Sequence, residues 1–361
     1  NIMNNGGIAR RMINFAKLFC GFIPGSLAQT NVLGNMLFGS LAGSAVAAAS
    51  AMGGSIAPIQ KEEKYDMAFA TAVNIASAPT GLLIPPTSAF IVYSTVVGGV
   101  SISALFMAGY IPGILMGLGV MAVAYLYARS RKYPTTGVVP AKVALKVTLD
   151  ALPSFLLIVI VIGGIVSGVF TATEGAGVCV VYCLFLSVLY RSITYKSFMK
   201  ILVDSACVSG IILFLISASS AMSWVMAFSG IPAAIAEALT SISDNKYVIF
   251  FLINIILLLI GMFMDITPAI LIFTPIFLPI CTSLGMDPVH FGVMLIFNMC
   301  IGSMTPPVGS VLFVGCGITK MSIERVSAML VPYFLVLIAI LMLITYVPAI
   351  SLAIPQALGL M

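Results

Sequence analysis

Two stretches of this 361-residue chain bring carbonyls, hydroxyls and paired prolines together in apolar surroundings. In Ala78-Pro-Thr-Gly-Leu-Leu-Ile-Pro-Pro-Thr-Ser88, Pro85 and Pro86 donate no backbone hydrogen bond and exclude a continuous helix. Cys300-Ile-Gly-Ser-Met-Thr-Pro-Pro-Val-Gly-Ser310 repeats the arrangement at Pro306 and Pro307. A helix stopped in this way leaves free carbonyls on one side of the break and free N–H groups on the other. Carbonyls with Thr and Ser hydroxyls are hard oxygen ligands that suit Na⁺, and free helix N-termini favour an anion such as a carboxylate. Two proline kinks satisfied by neighbouring helices are the plainer alternative; the Thr-Ser and Val-Gly-Ser that follow at matching places favour ligation. Two further stretches belong beside these. Gly39-Ser-Leu-Ala-Gly-Ser44 offers Ser40 and Ser44 at a turn where backbone can approach an ion, although Gly39 and Gly43 also fit a small-residue packing face. Met264-Asp-Ile-Thr-Pro-Ala269 sets Asp265 in an uncharged run from Tyr247 to Met286. A carboxylate in a membrane helix costs about 3 kcal/mol on insertion scales and needs a partner. Asp265 can cap the helix that Thr267 and Pro268 open and contact an ion as well.

The elements that carry these residues come in two copies. A shift of 221 positions brings Pro58-Ile59 onto Pro279-Ile280, Asp66 onto Asp287, Gly81 onto Gly302, and Pro85-Pro86 onto Pro306-Pro307. A shift of 223 brings Gly7-Ile8 onto Gly230-Ile231. Each half starts with an amphipathic stretch (Ile8–Cys20; Ile231–Ser241) and continues with a Gly-punctuated segment expected to fold as a hairpin (35–59; 254–280). A broken helix (67–98; 289–318) and a closing helix (103–128; 325–347) complete each half. The first repeat is thus expected over 1–128, a cytoplasmic linker over 129–148, and the second repeat over 149–361 with three scaffold segments within 151–228. The first half lacks counterparts of those three segments, so the repeat spacing leads us to expect about 80 residues ahead of Asn1.

Composition fixes the class. Hydrophobic residues make up 61% of the chain, charged residues 7%, and the mean hydropathy is +1.19. Soluble domains carry about 25% charged residues, so neither a globular surface nor a disordered chain fits. The apolar runs are continuous rather than alternating, which excludes a β-barrel and leaves a polytopic, all-α membrane protein. If both hairpins are re-entrant, Arg10, Arg11, Lys17, Lys61, Lys64, Arg129, Arg131, Lys132, Lys142, Lys146, Arg191, Lys196, Lys200, Lys320 and Arg325 share one side and only Lys246 is opposite, 15 to 1. If the hairpins were single spans the split would be 10 to 6, so the positive-inside rule selects the first path. The crowded side is then cytoplasmic, the repeats are inverted, and the +5 net charge reports orientation rather than nucleic-acid binding. Inverted repeats with broken helices at mid-membrane are the architecture of secondary transporters. An intramembrane enzyme would need HExxH, paired aspartates or a Ser/His pair, and the chain has one histidine, His290. Nothing resembles a pore ring of carbonyls or charges. Other polar residues read as structural: Thr171-Ala-Thr-Glu174 as a capping box, His290 near an interface after the Asp287-Pro288 turn, Trp224 as an interface anchor. The seven cysteines, without CxxC, read as packing thiols.

The chain resembles the large membrane subunit of tripartite ATP-independent periplasmic (TRAP) transporters along essentially its whole length. Gly39–Ser44, Ile84-Pro-Pro-Thr-Ser88, Met262-Phe-Met-Asp-Ile-Thr-Pro268, Asp287-Pro-Val-His-Phe-Gly292 and Thr305-Pro-Pro-Val-Gly309 carry the resemblance. It implies an elevator-type fold similar to the ion-transporter superfamily, in the bacterial inner membrane, without enzymatic activity or an organic cofactor. It further implies Na⁺-driven import of an organic anion, a sialic or other sugar acid or a C4-dicarboxylate. The implied partners are a small four-helix membrane subunit, a periplasmic substrate-binding protein and the lipid bilayer. Carried onto this sequence, a first Na⁺ lies among Ser40, Gly43, Ser44, Gly81, Ile84 and Pro85. A second lies among Asp265, Thr267, Gly302, Thr305 and Pro306. The substrate carboxylate lies near Thr87, Ser88, Gly309 and Ser310. The chain departs from the family where an acidic residue commonly follows the first small-residue run, having Ala47-Ala-Ala49 instead. A stand-alone Na⁺/dicarboxylate symporter of similar build, which needs no binding protein, is the alternative.

Overall fold

The computed structural model describes residues 2, 8–135, 137, 140–190, 193–243 and 245–361. Gly7 of the repeat match, Arg191 of the charge count and the Arg10 side chain lie outside what is described. Among the described residues every regular element is a helix. Helix α1 (Ile8–Cys20) precedes a helical hairpin of α2 (Ser26–Ala42) and α3 (Ala45–Glu62). Then α4 (Met67–Ser77) runs into a 3₁₀ turn (Ala78–Leu82), breaks at the proline pair and resumes as α5 (Ser88–Val97) before the long α6 (Ile102–Ser130). Three helices follow: α7 (Ala141–Val166), α8 (Ala172–Leu189) and α9 (Tyr195–Phe228). The first pattern then recurs as α10 (Ile231–Ile242), the hairpin α11 (Lys246–Gly261) and α12 (Ile266–Ser283), the broken pair α13 (Pro288–Gly302) and α14 (Ser310–Thr319), and α15 (Ile323–Tyr346). A last helix, α16 (Ala349–Ala357), packs on α6.

Several bounds differ from the sequence expectation. The helices of both hairpins run beyond 35–59 and 254–280, from Ser26 to Glu62 in the first and from Lys246 to Ser283 in the second. The linker becomes helical at Ala141, where Val143, Leu145 and Val147 join Lys142 and Lys146 in a helix-compatible run ahead of the apolar segment. The short α16 was not expected, since Pro348 precedes it and Pro355 lies inside it. By length and apolarity α6, α7, α8, α9 (Tyr195–Met226), α12 and α15 can each cross a membrane.

The two pre-break helices form the centre. Every residue from Val289 to Gly302 of α13 is buried, as is α4 from Ala68 onwards. Both start at repeat-equivalent caps: Asp66 Oδ1 accepts from the Ala68 N–H at 2.9 Å and Asp287 Oδ1 from the Val289 N–H at 2.7 Å. Contacts between halves are reciprocal, with α3 on α14 and α12 on α5. By contrast α7, α8 and α9 are peripheral, and α9 leaves Leu213, Phe214 and Phe228 exposed.

Charge is segregated along the bundle. Arg325 Nη2 lies 3.4 Å from Asp66 Oδ1, the Tyr133 hydroxyl accepts from the Asp66 N–H at 2.9 Å, and Tyr65 stacks on Tyr133. The same end holds Arg11, 3.9 Å from Asp150 and lying over the Tyr190 ring, and the Gly137 N–H bond to the Gly21 carbonyl. The opposite end gathers Tyr93, whose hydroxyl donates to the Pro288 carbonyl at 2.6 Å, and Tyr346, whose hydroxyl donates to the Tyr247 carbonyl. The capping box forms: Thr171 Oγ1 accepts from the Glu174 N–H, and Glu174 Oε2 accepts from the Thr171 N–H. Trp224 is exposed and stacks on Phe228. Five cysteines are buried, Cys179 is half-buried, and Cys207 is exposed on α9 rather than packed.

Candidate functional site

Each hairpin is held against the break of its own half by a contact only glycine permits. A Cβ on Gly81 would stand 2.4 Å from the Cα of Gly39, and a Cβ on Gly302 would stand 2.5 Å from the Cα of Gly261. Beside each glycine contact lies a buried amide pair. Asn35 Nδ2 donates to Asn74 Oδ1 at 3.1 Å and to Ser77 Oγ at 2.7 Å in the first half. Asn298 Nδ2 donates to Asn254 Oδ1 at 2.9 Å in the second. Sequence reasoning missed these four amides. Their signal was amide side chains inside apolar runs, which a membrane helix keeps where it hydrogen-bonds a neighbour.

The hairpin tips then reach the residues after the breaks. Gly43, with φ +60°, ends α2 and donates its N–H to the Gly39 carbonyl at 2.7 Å, while its own carbonyl accepts from Ser88 Oγ at 3.1 Å. Ser44 caps α3 through the Ala47 N–H. In the second half Asp265 stands at the N-cap position of α12 without capping it; its Oδ1 instead accepts from Ser310 Oγ at 3.3 Å. A shift of 221 carries Ser44 onto Asp265 and one of 222 carries Ser88 onto Ser310, so each post-break serine reaches the hairpin tip of its own half, one at the Gly43 carbonyl and the other at the Asp265 carboxylate.

Both tips and both post-break helices open on one cavity of about 120 Å³. Gly43, Ser44, Ser88, Asp265, Thr267 and Ser310 line it, with Ser303 added. A smaller cavity of about 80 Å³ lies between Gly261–Asp265 and Val308–Ser310, including Gly309. The Val308 N–H bonds to the Met262 carbonyl at its edge.

The other expected residues stand around these cavities without lining them. Ser40 donates to the Leu37 carbonyl of its own helix, Gly81 and Gly302 are engaged with their partner glycines, and Ile84 packs under Gly113 of α6. Thr87 caps α5 through the Phe90 N–H, and Thr305 donates back to the Ile301 carbonyl. Pro85-Pro86 and Pro306-Pro307 are both cis. The donor set that faces the cavity is one carboxylate with hydroxyls from both halves, and two helices, α5 and α14, begin at its edge. That set suits a small hard cation beside a carboxylate-bearing solute.

The sequence matches the family described as "Tripartite ATP-independent periplasmic transporter, DctM component" over residues 1–350. The chain belongs to that family. It is 53% identical to a Salmonella typhimurium protein called "Uncharacterized protein YgiK", covering 98% of this chain and 82% of the relative. It is 36% identical to the C4-dicarboxylate TRAP transporter large permease protein DctM of Rhodobacter capsulatus, covering 100% of this chain and 85% of the relative. It is 35% identical to the sialic acid TRAP transporter large permease protein SiaM of Vibrio cholerae, covering 99% of this chain and 83% of the relative. The DctM and SiaM relatives are named as permeases. The TRAP relatives differ in the organic acid they are named for.

Proposed function

We propose that this chain is the large permease subunit of a Na⁺-coupled importer of organic acids in a bacterial inner membrane, working with a small membrane subunit and a periplasmic substrate-binding protein. The observation that carries the reading is the single cavity to which both halves contribute equivalent groups, Ser44 and Ser88 from one and Asp265 and Ser310 from the other. Na⁺ is held by the hydroxyls, carbonyls and the Asp265 carboxylate at the hairpin tips, and the substrate carboxylate lies between them at the starts of α5 and α14.

Both free ends of each hairpin lie at the same end of the bundle, which supports re-entrant hairpins. Lys246 and Leu284, the ends of the second, border one cavity, while Gly25 abuts Ala128 and Tyr65 stacks on Tyr133 at the first. The glycine contacts and amide pairs fasten each hairpin to its broken helix, so the cheaper movement carries both hairpins as one body past α7–α9. This is an elevator movement. Family membership favours the binding-protein-dependent system over a stand-alone dicarboxylate symporter. The substrate is a carboxylic acid of the kind that the relatives' names specify, a C4-dicarboxylate or a sialic acid.

The test is uptake into proteoliposomes holding this chain with its small subunit, supplied with substrate-loaded binding protein. Uptake should require an inward Na⁺ gradient and the binding protein together. Equal uptake with K⁺ in place of Na⁺, or uptake of free substrate without the binding protein, would overturn the proposal.

A further inference from the structure

A second cavity, of about 180 Å³, lies far from the transport site at the end of the bundle opposite the basic cluster. Lys246, Phe250, Leu284, Asp287, His290 and Leu352 line it. Its groups are polar at the rim and apolar within. Lys246, alone among the 16 basic residues on this face by the charge partition, extends over the Tyr247 ring at 5.3 Å. Asp287 caps α13 with one oxygen. Among the described residues, Lys246 and Asp287 do not form an ion pair, although both border the same cavity.

His290 adds an acceptor. It is 1% exposed, and its Nε2 is 3.2 Å from the Thr345 carbonyl. A carbonyl only accepts, so Nε2 carries the proton and Nδ1 presents a lone pair. Nδ1 is buried with no hydrogen-bond partner in the protein. The cavity therefore brings together a cation and a carboxylate, with a buried imidazole in its wall. That complements a zwitterion whose positive group has N–H donors and whose negative group is an anion a few atoms away.

We propose that this cavity binds a phospholipid with a phosphate and a primary ammonium in its headgroup. The phosphate pairs with Lys246, and the ammonium donates to Asp287. A lipid rather than a free zwitterion is favoured by what surrounds the mouth. Tyr247 and Tyr346 stand at the rim as aromatic residues do at the headgroup level. From there the outer face of α11 continues as exposed Val248, Phe251, Ile255 and Leu259, and α15 adds Leu343. Such a face is covered by acyl chains in a bilayer. The site is independent of the ion and substrate site, and the inference survives if the substrate assignment fails.

The experiment is native mass spectrometry of the purified, delipidated full chain. It is offered equal amounts of phosphatidylethanolamine, phosphatidylcholine and phosphatidylglycerol with identical acyl chains. Phosphatidylethanolamine should be retained about tenfold over the other two, the worth of one charge-assisted hydrogen bond. Asp287→Asn should remove most of that preference, while Lys246→Gln should lower the retention of all three lipids, whose phosphate it pairs with, and leave the preference in place. Lys246 is exposed and asparagine still caps a helix, so both variants should fold. Equal retention of the three lipids, an Asp287→Asn variant that keeps the preference, or a Lys246→Gln variant that retains all three lipids as the parent chain does, would overturn the proposal.

Discussion

Replacing Gly81 by alanine tests the coupling between hairpin and break. The new Cβ would lie 2.4 Å from the Gly39 Cα, whereas ordinary contact begins at 3.4 Å. The hairpin and the 3₁₀ turn must therefore separate by about 1 Å, because backbone rather than a flexible side chain is in the way. Overpacking of this kind costs about 1–3 kcal/mol. If the separation is borne by the ion site that the hairpin tip helps to build, the loss appears as weaker Na⁺ binding, and about 1.4 kcal/mol per tenfold gives a rise of roughly 5- to 140-fold in half-saturating Na⁺. Gly302→Ala meets the Gly261 Cα at 2.5 Å and should behave alike. Gly54 and Gly317 have nothing within 4 Å of an added Cβ, so alanine there should leave Na⁺ dependence unchanged. The assay is initial uptake into proteoliposomes across a Na⁺ series, with protein amount and thermal stability measured beside it. Wild-type Na⁺ dependence in both Gly81→Ala and Gly302→Ala would refute the reasoning, as would equal loss in the two control variants.

Asp265→Asn removes the cavity's carboxylate while keeping its size; uptake should need at least about tenfold more Na⁺, as the loss of one charged ligand implies, and an unchanged Na⁺ curve would leave Asp265 a structural role alone. Asn254→Leu removes the side-chain bond to Asn298, which keeps only the residue 254 backbone carbonyl, and the bond to Thr345 Oγ1, so the thermal midpoint should fall with a loss of about 1–3 kcal/mol, read by unfolding of the purified protein. Cysteines at Thr135 and Ser283 report topology in intact cells: an impermeant maleimide should label Ser283→Cys and not Thr135→Cys, and the reverse pattern would invert the orientation.

The sequence was most legible where chemistry is not apolar. Asp66 with Asp287, Gly81 with Gly302 and the two Pro-Pro pairs announced the repeat because such residues coincide rarely in an apolar chain, and the structure places them in equivalent roles. The tip residues Ser44 and Asp265 were identified as candidates, and they meet in one cavity. Less legible was what each site residue does with its hydrogen bonds. Ser40 and Thr305 satisfy their own helices, a local competition that spacing does not reveal. The amide pairs escaped because they are not repeat-equivalent. The 221-residue shift puts Asn35 on Ile256 and Asn298 on Ser77, so no repeat match marks them. The outer ends of the hairpin arms carry no residue that marks a boundary within an apolar run, so the helices run on to Ser26 and Lys246.

The central claim is that one transport site is shared by both halves of the chain. Single cysteines at Ser88 and Ser310, in a background with exposed Cys207 and the other native thiols replaced, test it by modification with a small thiol reagent. The account predicts that Na⁺ with substrate protects both positions over the same concentration range, although they belong to different repeats. Protection at only one of them, or protection of the two at separate substrate concentrations, would contradict it.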